Sequence, residues 1–71
     1  MKKKISIEGM MCNHCKMHVE EALKELKGVE DVKVSLEDKN AVITSQGEIS
    51  DKEIKDTIED VGYEAVKIES L

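Results

Sequence analysis

Apolar and polar residues along the chain fall into six short patterned stretches. Lys3 to Glu8 alternates charged or hydroxyl residues with Ile5 and Ile7, the two-residue period of a strand that buries one face. Gly9 interrupts it. From Cys15 the positions Val19, Ala22, Leu23 and Leu26 follow at i, i+4, i+7, i+8 and i+11, one stripe of an amphipathic helix. Asn13 is its expected N-cap and Gly28 the expected C′ stop. Val29, Val32, Val34 and Leu36 make a β-branched strand, of which the last three alternate strictly. Glu37-Asp38-Lys39-Asn40 then supplies a polar turn longer than two residues. Ala41-Val42-Ile43-Thr44 returns as the partner strand, and its three adjacent apolar residues leave the inward face open. Ser50-Asp51-Lys52-Glu53 has the form of a capping box, with Ile49 and Ile54 placed as a hydrophobic staple. Ile54, Ile58 and Val61 continue a second helical stripe to Gly62, after which Val66 and Ile68 alternate as a final strand.

The order is β-α-β-β-α-β. Two helices with one apolar stripe each are expected to cover one face of a four-stranded antiparallel sheet, the two-layer α+β architecture called ferredoxin-like. No proline, linker or low-complexity tract divides the chain, so residues 1–71 are expected to form a single domain.

Composition narrows the function. A chain of 71 residues buries only about 60% of its unfolded surface, too little for a large enclosed active site. Sixteen acids against eleven lysines give a net charge of −5, and Tyr63 is the one aromatic residue. Nucleic-acid binding wants basic clusters and stacking rings, so it is a poor fit. Lys2, Lys3 and Lys4 read as a solvated strand end. With no long apolar run and no leader pattern, the expected location is the cytosol.

The chemistry gathers in Gly-Met-Met-Cys-Asn-His-Cys, residues 9–15. Cys12 falls on the loop after the first strand. Cys15 falls in the first turn of the helix, where free N–H groups and the dipole favour thiolate, so it is expected to be the more acidic thiol. A very short disulfide loop is unfavourable, and a thioredoxin-like role wants a larger domain and a proline opposite the motif. A structural zinc site wants four converging ligands. Cys12, His14, Cys15 and His18 are enough in number, but the helix turns His14 about 100° away from Cys15. Two thiolates in an open site suit a soft d¹⁰ ion such as Cu(I). Hg(II) fits the same pair.

These residues, with Leu-Lys-Gly-Val-Glu-Asp-Val at 26–32 and Ile-Glu-Asp-Val-Gly-Tyr-Glu-Ala at 58–65, resemble the heavy-metal-associated domain family, and within it the small bacterial copper chaperones. The resemblance runs over nearly the whole chain. It implies Cu(I) held by Cys12 and Cys15 and handed to a similar soluble domain of a copper-transporting P-type ATPase, with a copper-responsive repressor as a recipient in some systems. It also implies Met10 packed beneath the loop, Tyr63 beside the metal loop, and His14 as a tuner of the site or of a docking surface. Met11 stands where the family commonly carries Thr or Ser. His14, Met17 and His18, with Met11 and Tyr63, are the expected contact surface for a recipient. A metal-binding segment cut from such an ATPase, a mercury-binding protein and a thiol-redox protein are the alternatives; a monomer and a copper-bridged dimer are both compatible with the pattern.

Overall fold

The computed structural model describes residues 1–71. In chain order the elements are β1 (Lys2–Glu8), α1 (Asn13–Lys24), β2 (Val29–Ser35), β3 (Asn40–Ser45), α2 (Asp51–Asp60) and β4 (Glu64–Ser70). The strands pair antiparallel in one sheet of order β2-β3-β1-β4. This is the ferredoxin-like architecture that the hydrophobic pattern predicts.

One core joins the layers. Ile5, Ile7, Val32, Val34, Ala41 and Ile43 on one face of the sheet pack with Val19 and Leu23 of α1 and Ile54 and Ile58 of α2. The open question in β3 is resolved by register: Ile5 lies opposite Ala41 and Val32 opposite Ile43, so Ala41 and Ile43 point inward and Val42 outward. Ser50 caps α2, its hydroxyl accepting from the Glu53 amide at 3.2 Å, while Ile49 and Ile54 are both buried beside it. At the other end of α2 the amides of Gly62 and Tyr63 donate to the carbonyls of Glu59 and Ile58 at 3.0 and 3.1 Å. That is a Schellman closure, with Gly62 at φ +93 supplying the left-handed residue it needs.

Four expectations are corrected. The N-cap of α1 is Cys12, extended at φ −148 and ψ 170, and not Asn13, which is already helical. Cys12 takes the role because its carbonyl accepts the first helical bond, from the Lys16 amide at 3.0 Å. Helix α1 is capped at Glu25, so Gly28 is not its C′ residue; it lies in a separate turn closed by the Val29 amide on the Leu26 carbonyl at 3.2 Å. In β4 the inward residues are Ala65 and Ile68, while Val66 is 60% exposed. Ser6 pairs with Lys67 and Ile7 with Ala65, so Val66 is the extra residue of a β-bulge that flips the alternation.

Lys3 is not solvated either. It is 5% exposed, and its Nζ donates to the Ile49 carbonyl at 2.8 Å and to Asp51 Oδ1 at 2.7 Å. The inward period of β1 places Lys3 on the core face, and its ammonium ties β1 to the start of α2.

Candidate metal centre

The chain leaves β1 through Gly9 at φ +94, a conformation that L side chains rarely adopt. A Cβ placed on Gly9 would lie 3.5 Å from Cδ1 of Tyr63, so the phenol ring rests against the loop where β1 ends. Met10 then turns into the core at 3% exposure, while Met11 stands in solvent at 88%. The polarity of the loop is thus divided between two neighbouring methionines: one anchors it and the other decorates it.

Cys12 is exposed and Cys15 half-buried, packed against the core. Both thiols are free, with Sγ atoms 3.2 Å apart. Because Cys12 is the N-cap, Cys15 is the third residue of α1, so one sulfur hangs on the loop and the other is fixed by the helix. Spacing i, i+3 across a helix start brings the two side chains to the same side.

The Cys15 thiol is lowered from 9.0 to about 7. The Tyr63 hydroxyl beside it is the largest cause; the Met11 backbone and the Cys12 thiol follow, and burial works against them. The sulfur–sulfur contact is the one side-chain hydrogen bond closed at this site; the Tyr63 hydroxyl favours the thiolate from close by without closing one of its own. In turn Tyr63 is pushed from 10.0 up to about 12, first by its interaction with Cys15, then by burial and the charges of Cys15 and Cys12. The acidity of Cys15 that its helix position predicts is present, but the leading cause is the ring across the loop. This influence of Tyr63 is the part that the sequence reading missed. The local signal was there: a tyrosine straight after the glycine that closes α2 is delivered back toward the β1 loop by the Schellman turn.

His14, Met17 and His18 are exposed on α1. No three His, Cys, Asp or Glu side chains come together as a group able to hold a metal ion, so the histidines do not join the cysteines in a closed site.

Residues 4–64 match the heavy-metal-associated domain. The chain belongs to that family. The matched stretch includes the cysteine loop, both helices and the Gly62-Tyr63 turn. The chain is 39% identical over 66 residues to the copper chaperone CopZ of Enterococcus hirae, covering 92% of this chain and 96% of the relative. It also shares 41% identity over 63 residues with the human copper-transporting ATPase 2 and 44% over 59 residues with a mercuric reductase of Shewanella putrefaciens. These cover 87% and 83% of this chain but 4% and 11% of those much longer proteins. Among solved structures, a CopZ metallochaperone superposes with a TM-score of 0.86 at 36% identity, covering 93% of this chain and all of that one. Membership of this heavy-metal-associated family places the chain among domains that carry metal and not among enzymes. No helix is long and apolar enough to cross a membrane.

Proposed function

We propose that the chain is a copper chaperone of the cytosol. In this reading Cys12 and Cys15 bind Cu(I) as thiolates and pass it by ligand exchange to a soluble domain of a copper-transporting P-type ATPase. A copper-responsive repressor is a second candidate recipient. Residues 1–71 act as one domain, either as a monomer or as a dimer that shares copper. The observation that carries this reading is the unequal pair: two free thiols 3.2 Å apart, one on an exposed loop and one anchored at the third position of α1, with no third ligand gathered around them. Thiolates select soft Cu(I), and an open shell leaves room for a recipient's thiolate to enter before the first one leaves.

Size supports the division of labour. At the zinc–thiolate length of about 2.3 Å, two bonds in a linear arrangement would separate the sulfurs by about 4.6 Å, about 1.4 Å wider than the 3.2 Å of the free pair, so loading requires the pair to open. Cys15 is held by the helix and the core, which leaves Cys12 to move. The same movement of Cys12 would serve release.

Mercury is the second reading. It is favoured by the similarity to a mercuric reductase and by the fact that a two-thiolate pair cannot reject Hg(II). Transfer separates the two readings. Cu(I)-loaded protein mixed anaerobically with the apo soluble domain of a copper-transporting ATPase is expected to equilibrate its copper, and to do so faster than a chelator present in the mixture can draw copper from the loaded protein. Copper that reaches the recipient only through the chelator pool contradicts the proposal, as does a failure to transfer.

A further inference from the structure

Beside the cysteines, the outer face of α1 carries a second set of metal-binding atoms that the copper reading does not use. We infer that His14 and His18 form a separate, weaker site for a nitrogen-preferring divalent transition-metal ion. Helix α1 runs unbroken from Asn13 to Lys24, so both residues lie in regular helix. Residues four apart share one helix face with Cβ atoms about 5–6 Å apart, the spacing with which paired histidines grip one ion. Both side chains are exposed. Neither imidazole hydrogen-bonds or pairs with another side chain, so each keeps a ring nitrogen for a ligand.

The charge around the pair favours a cation. Glu21 lies one turn further along the same stripe, exposed and without an ion-pair partner, whereas Glu20 is taken by Lys24 at 3.0 Å. No three ligating side chains gather here, so Glu21 contributes its charge from outside the shell and water fills the remaining positions. Two nitrogen ligands on the surface make a weak and freely exchanging site. Ligand softness sets it apart from the thiol pair: thiolates take Cu(I), while imidazoles take Cu(II), Zn(II) or Ni(II), with Cu(II) held tightest. The helix therefore presents two sites that sort ions by softness. This inference stands independently of whether Cu(I) or Hg(II) is the cargo of the cysteines.

The test uses Cu(II) as the probe in the 71-residue chain carrying Cys12→Ser/Cys15→Ser, which removes both the competing ligands and the thiols that Cu(II) would oxidise. Titration followed by electron paramagnetic resonance should show one saturable site with coupling from two nitrogens. His18→Ala in that background should weaken binding at least tenfold, and so should His18→Ala/Glu20→His, which keeps two histidines but sets them about 120° apart around the helix. Circular dichroism reports whether each variant keeps α1. Binding that is equal in all three backgrounds, or one-nitrogen coupling throughout, overturns the site and leaves only adventitious surface binding.

Discussion

The ring of Tyr63 packs against Gly9, with Cδ1 3.5 Å from where a Cβ would stand, and its hydroxyl is the largest influence on the Cys15 thiol. A single residue just after α2 therefore both seats the loop and favours the thiolate of the cysteine that α1 holds beside it. The contact works because Gly62 closes α2 and delivers Tyr63 beneath the exit of β1.

Tyr63→Phe keeps the ring and removes the hydroxyl. The Cys15 thiol, now at about 7, should rise toward its ordinary 9.0, so less of it is thiolate at neutral pH. Alkylation of Cys15 measured against pH checks this; an unchanged midpoint would show that the loop backbone and Cys12 hold the thiolate unaided.

The same lowering has a consequence for apo stability. A group whose folded pKa is depressed stabilises the fold fully above its unfolded value and loses that contribution as pH falls through the folded one. Cys15 should therefore add stability as pH rises from about 7 to 9.0. Urea melts across that window should show the rise in the wild type and a smaller one in Tyr63→Phe.

Gly9→Ala does not fail for want of space, since 3.5 Å is an ordinary contact. It fails on backbone, because φ +94 is strained for any L side chain. A loss of about 1–2 kcal/mol in denaturant unfolding is expected; a neutral result would mean that the loop relaxes.

Met10 and Met11 should part company. Met10→Ala empties a core position and is expected to cost about 2–5 kcal/mol, whereas Met11→Ala, at 88% exposure, should stay within about 0.5 kcal/mol. Chemical denaturation of the two variants side by side decides it.

Lys3 and Asp51 form an ion pair at 2.7 Å whose two ends are unequal, with side-chain exposures of 6% and 64%. Lys3→Met leaves the Ile49 carbonyl without its donor in a buried setting and should cost about 1–3 kcal/mol. Asp51→Ala removes a solvated carboxylate and should cost less than about 1 kcal/mol. Equal losses would place the value of the pair in the salt bridge and not in the carbonyl.

The features that were legible in the sequence are those set by one element alone. The stripe of Val19 and Leu23, the staple of Ile49 and Ile54, and the Ser50 cap follow from local spacing. Those that were misread depend on neighbours. Val66 faces outward because of a bulge against β1. A second bulge, at a position whose facing the pattern left open, lets Val29 reach the core side although it is out of step with Val32, because Glu30 is an extra residue against β3. Both bulges lie on the edge strands, where they also disrupt a surface open to unwanted pairing. Lys3 looked solvated because its partners come from Ile49 and Asp51, far along the chain. At the site, the position of the cysteines could be read directly, but the hand of Tyr63 in the acidity of Cys15 required the fold.

In the proposed function two thiolates, and no histidine, hold Cu(I). Anaerobic titration with Cu(I) against a chelator of known affinity, with Zn(II) in parallel, tests it most directly. Tight Cu(I) binding is expected that far exceeds Zn(II) binding, disappears in Cys12→Ser/Cys15→Ser and survives His14→Ala. Stronger binding of Zn(II), or retention of Cu(I) by the double-serine variant, would contradict it.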